Sequence, residues 1–576
     1  MRIVCMIVTM TRTVFLSMML VPVVALAQNT EIRYNQVGCY PQQEKVIVVE
    51  GFNPAGKVRV TMPDGKTLKP KVQVRKALSP WSGKTRYVVD LGALTAAGQY
   101  HISVGDATCD LVVSERPFRD IAQASLRLFY LIRSGVAIDD AVYGRPAGHP
   151  DTSVIVHNSA ASQLRPAGTV ISSPYGWYDA GDYNKYVVNS AFSIGLMLSA
   201  YEAQPDYFAN LRTNIPESGN STPNLLDEIM FNLQWFLTMQ DPSDGGVYHK
   251  LTTPRFEGFI MPTACRQPRY VVAKSVTATL DFAAVMADAA RLYEPFQKDY
   301  PGFSAIAAAV SERAYQWAKA HPTAFYHQAQ LKDPAVSTGA YGDGNAADEF
   351  FWAASALYRL TGKSQYLDDA RQYQPQRFST PTWNNVTSLG AFEWLAVEDS
   401  PLRETILGQL TAYSEEAIKS VGSSCFQSPY GNKRSDFGWG CLAEHCCCQG
   451  LAFLYADKML GTNKYSRYAL QNADYLLGRN ATGYCYVTGF GKKSPMHPHH
   501  RISAADTVEN PFPGMLVGGS NPGQQDKMEL PTSYLSDYPD ESYLDIMQSY
   551  ASNEIAINWN ASLVAFLCWL DAECPN

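Results

Sequence analysis

The chain has 576 residues, too many for one ordinary core, and its 46% hydrophobic and 18% charged residues exclude a disordered polypeptide. The formal net charge is −7 and no long basic run occurs, so nucleic acid and acidic membranes are not expected partners.

Residues 1–27 read as a secretory signal. Arg2 and Arg12 give the positive start, Val14 to Val24 is mostly apolar, and Ala25-Leu26-Ala27 is a small-residue cleavage pattern. The apolar run is too short for a spanning helix, and no later stretch of about 20 apolar residues follows, so no transmembrane segment is expected. Cys5 does not sit in a lipid-attachment pattern. The mature protein is expected to be exported: secreted, periplasmic or at the cell surface.

From Glu31 to about Val113 the pattern is short and strand-like. Lys45–Glu50, Lys57–Met62, Arg86–Leu91, Tyr100–Val104 and Asp110–Val113 are β-branched or alternating runs, with turn chemistry at Pro63-Asp64-Gly65 and Ala97-Gly98. Residues 28–115 are therefore expected to form a small β-sandwich.

After Ser114-Glu115-Arg116-Pro117 the period becomes helical. In chain order the segments are Phe118–Arg133, Ala191–Ala203, Leu225–Gln240, Ser275–Tyr293, Ala305–Ala320, Asp348–Thr361, Gln365–Gln372, Leu389–Val397, Leu402–Ser420, Leu442–Leu460, Lys464–Leu477 and Trp559–Leu570. Long loops rich in Gly, Pro, Tyr and His separate them, and such loops on a helical scaffold usually carry function. A closed double ring of helices would bury this many apolar faces, whereas a solenoid would show a fixed repeat, and none is visible. Residues 116–576 are read as this second domain.

The chain has 12 cysteines, with no repeated framework in their spacing. The run Cys446-Cys447-Cys448, with His445 beside it and Cys441 nearby, contains metal-ligating residue types. The stretch reads as a buried helix, on which consecutive cysteines point to different faces, so core cysteines are expected here and not a metal cluster.

Three loop stretches carry groups suited to chemistry. In Trp177-Tyr178-Asp179-Ala180-Gly181-Asp182-Tyr183, two carboxylates three residues apart precede an apolar helix. Close like charges push one carboxyl pKa up and hydrogen bonds can hold the other ionised, as activation of a water requires. An isolated Asp pair at this place would more often merely cap the helix. Met496-His497-Pro498-His499-His500-Arg501 gathers three His and one Arg without the spacing of a structural zinc site. In Asn553-Glu554-Ile555-Ala556-Ile557-Asn558-Trp559-Asn560, an ionisable Glu lies among apolar neighbours that raise its pKa, which suits a general acid. A capping or surface role is the plainer alternative for Glu554 taken alone.

Together these stretches resemble glycoside hydrolase family 9, a family of endoglucanases with an (α/α)6 barrel. Asp474-Tyr475-Leu476-Leu477-Gly478-Arg479-Asn480 and Val487-Thr488-Gly489-Phe490-Gly491 add to the likeness, which covers roughly residues 117–572. The front segment, from Ile32-Arg33-Tyr34-Asn35-Gln36-Val37-Gly38, is similar to the immunoglobulin-like module that often precedes this catalytic domain. The resemblance implies a mainly α fold, the (α/α)6 barrel preceded by an immunoglobulin-like β-sandwich.

It further implies an inverting hydrolase of β-1,4-glucan chains, such as cellulose-type, mixed-linkage or xyloglucan polymers. Asp182 would be the general base, Asp179 its partner on the attacking water, and Glu554 the general acid, with the acid and base about 6.5–9.5 Å apart. His499, Arg501, His249, Trp439 and Trp559 would bind substrate. No cofactor is required for the chemistry, and a monomer is expected.

The stretch 147–157, where many relatives carry two zinc-binding cysteines, has none, so structural zinc is not expected. Gly344-Asn345-Ala346-Ala347-Asp348-Glu349 looks like the family's calcium loop, with Gly344, Asp348 and Glu349 as candidate ligands; an acidic helix start is the plainer alternative. The alternatives in function are a catalytically weak polysaccharide-binding protein and an exo-acting glucosaminidase of the same fold.

Overall fold

The structure is a computed structural model and describes residues 30–92 and 94–573. The expected signal at 1–27 lies outside the described residues.

Eight strands form the N-terminal unit: β1 Glu31–Arg33, β2 Val46–Glu50, β3 Val58–Thr61, β4 Thr67–Leu68, β5 Gln73–Leu78, β6 Thr85–Asp90, β7 Gly98–Val104 and β8 Ala107–Val113. They pair into two four-stranded sheets, β1-β2-β6-β5 and β4-β3-β7-β8, all antiparallel. Strand β2 is buried along its whole length. Its Ile47 and Val49 face the sandwich interior with Val89 and Ile102, whereas Val46 and Val48, with Val88 and Ala77, join the core shared with the helical domain. A strand covered on both faces needs a continuous apolar run, and Val46-Ile47-Val48-Val49 is one. β1, β4 and β5 escaped the sequence reading because they are short, or exposed and rich in polar residues.

Twelve long helices follow: α1 Arg119–Leu131, α2 Val187–Ala203, α3 Asn224–Met239, α4 Val276–Leu292, α5 Phe303–Ala320, α6 Ala347–Thr361, α7 Ser364–Gln372, α8 Thr387–Leu395, α9 Arg403–Ala417, α10 Cys448–Leu460, α11 Ser466–Leu476 and α12 Ile557–Ala572. The even-numbered helices form an inner ring, α12 packing on α2, α2 on α4, α4 on α6, α6 on α8, and α10 on α12; odd-numbered partners back them from outside. The division follows composition. Inner helices such as α2 and α12 are apolar on nearly every face and nearly all buried, while outer helices such as α5 and α9 expose one polar side. This is the expected (α/α)6 barrel. All ten described cysteines are free, and no helix among the described residues is long and apolar enough to cross a membrane.

A small sheet that the sequence reading did not anticipate lies beside the barrel mouth: β9 Val154–Val156, β10 Val170–Ile171, β11 Lys185–Tyr186, β12 Tyr248–Thr252 and β13 Tyr270–Lys274, in the order β10-β9-β13-β12-β11. It anchors the loop 177–186. Arg269 on the segment entering β13 and Lys185 on β11 both pair with buried Asp151. Burial alone would raise the Asp151 carboxyl, but the two cations outweigh it and hold it at about 2.

Candidate active site

The loop 177–182 enters α2 and is stitched to the C-terminal segment by backbone pairing. Ala180 bridges Ala556, and the Ile557 amide donates to the Asp179 carbonyl at 2.8 Å. His499 bridges Glu554, with its amide 2.8 Å from the Asn553 carbonyl. The three stretches singled out in the sequence thus converge on one place. Gly181 sits at their centre, where an added Cβ would lie 2.3 Å from the His499 carbonyl oxygen and 3.2 Å from Glu554 Oε1.

Asp179, Asp182 and Glu554 line a common cavity of about 510 Å³, walled by Trp439, Trp559, Trp383, Phe256, Tyr341 and Tyr186. Larger depressions of about 720 and 1000 Å³ exist elsewhere, but neither contains any of the three motif carboxylates. Chemistry and not size singles out this cleft. Trp439 is 43% exposed and Phe256 45% exposed, so both offer aromatic surface to a ligand in the cleft. Trp559 is nearly buried and forms the floor with Asn558.

The carboxylates differ in their surroundings. Asp179 is buried and accepts from Asn189 Nδ2 at 2.7 Å and from Tyr341 Oη at 2.8 Å. Burial, and then the nearby Asp182 charge, push its pKa well above the usual carboxylate range. Asp182 accepts from Tyr186 Oη at 3.1 Å and from the Asn184 amide group. Burial and then the Asp182 charge raise Glu554 to about 8, against the opposing pull of Arg501. Glu554, raised toward its protonated form, thus shares the cleft with two hydrogen-bonded aspartates, an arrangement that brings a proton donor and a candidate acceptor together. Lys250, buried behind the pair, is lowered to about 7 by desolvation while the two aspartates oppose the shift.

The expected sugar-binding residues divide. Trp439 and Trp559 lie on the cleft. Arg501 supports it from behind: its Nη1 and Nε donate to the carbonyls of Gly181 and Glu257 at 2.7 and 2.9 Å. His499 is half-buried behind Gly181, and its Nδ1 donates to the Met547 carbonyl at 2.7 Å, which leaves Nε2 as the acceptor nitrogen. His249 requires correction. It is fully buried, both ring nitrogens are occupied at 2.8 Å by Ser275 Oγ and the Ala340 carbonyl, and Tyr326 stacks on its ring at 3.9 Å. It therefore braces the loop carrying Tyr341 and offers nothing to a sugar.

Tyr341, Trp383, Phe256 and Glu444 were not singled out in the sequence. Tyr341 carries the clearest retrospective signal, an aromatic within the glycine-rich segment Thr338-Gly339-Ala340-Tyr341-Gly342. It has a left-handed backbone, φ 46°, a conformation that bulky residues adopt at a cost of about 1–3 kcal/mol and that clusters at functional sites.

Of the expected metal loop, Gly344 is an exposed turn residue, while Asp348 and Glu349 start α6 and are buried. Asp348 accepts from the Val386 amide at 2.9 Å and from Asn345 Nδ2 at 3.1 Å. Both oxygens of Asp281 on α4 are buried without a hydrogen-bond partner, and those of Glu349 are buried with none but the Asp348 carboxyl beside them. Burial first, then the charge of neighbouring Asp348, drives these two carboxyls far above their usual pKa. Orphaned buried oxygens on hard ligands fit a calcium-type cation. In the stretch 147–157, His149 and His157 are each bonded to protein groups, Tyr178 Oη and the pair Ser159 Oγ and Pro334 carbonyl.

The comparisons with known proteins agree with this architecture. The chain is 51% identical over 567 residues to a xyloglucan-specific endo-β-1,4-glucanase of Bacteroides ovatus, covering 96% of this chain and 95% of that one. It is 31% identical to endoglucanase D of Acetivibrio thermocellus, covering 93% and 82%. Among solved structures, a Bacteroides ovatus family 9 glycoside hydrolase superposes with a TM-score of 0.90 at 49% identity, covering 94% of this chain and 99% of that one. A thermostable endoglucanase of Alicyclobacillus acidocaldarius superposes with a TM-score of 0.81 at 31% identity, covering 94% and 99%. Residues 27–109 match the cellulase N-terminal Ig-like domain. Residues 118–567, which hold both rings of helices up to most of α12 and the three motif carboxylates Asp179, Asp182 and Glu554, match glycosyl hydrolase family 9, and the chain belongs to that family.

Proposed function

We propose that the chain is an exported, inverting endo-β-1,4-glucanase whose preferred polymer is of the xyloglucan type. The observation that carries the catalytic reading is the convergence of Asp179, Asp182 and Glu554 on one aromatic-walled cleft. The 51% identity to a xyloglucan-specific relative supports the polymer, and the Arg2-to-Ala27 pattern supports export.

In this reading Glu554, held protonated by burial, gives its proton to the glycosidic oxygen as the leaving sugar departs. Asp182 takes a proton from a water that attacks the anomeric carbon from the opposite face. Asp179, fixed by Asn189 and Tyr341, orients that water. One proton enters at the leaving oxygen and one is taken from the water, so the configuration inverts in a single displacement. Trp439 and Phe256 offer stacking faces for the pyranose rings.

Asp348 and Glu349 at the start of α6 would contribute to a calcium site, whose charge would offset buried carboxylates that otherwise repel one another. Its place behind α4 and α6 makes it a structural element with no part in bond cleavage.

The test is hydrolysis of xyloglucan, mixed-linkage glucan, carboxymethyl-cellulose and chitosan oligomers by the wild type and Glu554→Gln, with the anomer of the first product followed by NMR. Xyloglucan is expected to be cleaved fastest, releasing the α-anomer, with nearly all rate lost in the variant. Failure on every β-1,4-glucan, or full activity in the variant, overturns the assignment and brings the binding-protein reading forward.

A further inference from the structure

The helix that ends in α10 begins with a π-helical turn, Leu442–Cys447. π-turns of this kind recur at functional sites. The turn brings Cys441, Glu444 and His445 together, with one donor atom from each lying within 4.8 Å of the other two. Among the described residues no side-chain hydrogen bond or ion pair engages any of the three, although all are half-buried. The neighbouring cysteines do not take part: Cys446 Sγ contacts the Asn472 carbonyl and Cys448 Sγ the Ser562 hydroxyl, each at 3.3 Å, and Cys447 is buried.

We propose that Cys441, Glu444 and His445 bind a divalent transition-metal ion of zinc's character in the wall of the catalytic cleft. The donor set selects the ion. A thiolate and a carboxylate balance a 2+ charge, and thiolate with imidazole favours zinc-like ions over calcium or magnesium. Such an ion needs its donors roughly 2.0–2.3 Å away, which small rotations of three otherwise unengaged side chains achieve. Three protein ligands leave a fourth position open. Access exists from two sides, because Glu444 lines the catalytic cleft and His445 lines the adjoining depression of about 1000 Å³. Binding displaces the thiol proton to solvent.

The site is distinct from the calcium-type cluster, whose donors are all oxygen. The sequence expectation of no metal covered His445 and Cys441 as well as Cys446 to Cys448; Glu444, which it did not include, supplies the third ligand.

The test is titration of chelator-stripped full-length protein with Co²⁺, read by the thiolate-to-cobalt charge-transfer band and the visible bands of a four-coordinate ion. One equivalent is expected to bind, and Zn²⁺ to displace it. Cys441→Ser should abolish the charge-transfer band while melting like the wild type. His445→Ala should weaken binding by more than the roughly tenfold that loss of an outer partner causes. Cys265→Ser removes the other half-buried thiol among the described residues and should leave the band intact. No band in the wild type, or a band that persists in Cys441→Ser, overturns the proposal. If Cys441→Ser fails to fold, unchanged Co²⁺ affinity in His445→Ala overturns it equally.

Discussion

Glu554 Oε1 lies 3.2 Å from the point that a Cβ on Gly181 would occupy, so the acid and the aspartate loop meet across a space that only glycine leaves open. The same Cβ would stand 2.3 Å from the His499 carbonyl, a backbone atom unable to rotate aside. Gly181→Ala must therefore shift the aspartate loop or the stretch 496–501. Overpacking of this kind costs about 1–3 kcal/mol, and misplacing catalytic groups by an ångström costs ~100-fold in rate. The expected outcome is a folded enzyme with a lowered melting temperature and a kcat reduced about a hundredfold, measured by calorimetry and steady-state kinetics.

A general acid works only while protonated. Burial and the Asp182 charge raise Glu554 to about 8, so the competent form is present below that pH and is lost as pH rises through it. The alkaline limb of kcat/KM should fall near pH 8. Glu554→Gln should lower the rate by about 10²–10⁴ and leave the residual activity without this limb. A wild-type profile with no alkaline fall would contradict the assignment.

His249 separates a supporting role from a sugar-binding one. Replacing it by Ala leaves a cavity against Tyr326 and removes the partner of the Ala340 carbonyl, with an expected loss of about 2–4 kcal/mol of stability. Because Tyr341 follows the carbonyl that His249 holds, kcat should fall with little change in KM. A raised KM at unchanged melting temperature would instead restore the sugar contact.

Calcium at Asp348 and Glu349 should appear as stability. Ligand at a hundred times its Kd stabilises by about 2.7 kcal/mol. Chelation is expected to lower the melting temperature, and added calcium to restore it. Glu349→Gln should remove the calcium-dependent increment without altering the chelated enzyme's activity on short glucans. A melting curve insensitive to both treatments would leave the orphaned oxygens to some other ion.

The helices were legible because an inner ring demands nearly unbroken apolar sequence and an outer ring demands periodicity, and both signals are local. The three carboxylates were legible because each sits in a dense motif. Other features depended on contacts distant in sequence. Asp281 is one acid on a buried, mostly apolar helix until α6 brings Asp348 near it. Tyr341 is 162 residues from the aspartate it holds. His249 occurs in a loop-like pattern that misled, because β12 and the Ser275 hydroxyl enclose it completely. The exposed strand β5 lacked an apolar signature because only one of its residues is fully buried.

Strand β2, buried on both faces, has a consequence for anyone recombining this family. Arg86, on the adjacent strand, reaches Asp540 at 3.2 Å and Glu541 at 2.9 Å, residues just upstream of the acid, and Asn35 bonds Asp474 on α11 at 2.8 Å. A chimera cut between sandwich and barrel would inherit half of each pair, and a buried charge without its partner destabilises by about 3–5 kcal/mol. The front module thus cannot be exchanged like an appended binding domain; it must be inherited with the barrel surface it was fitted to.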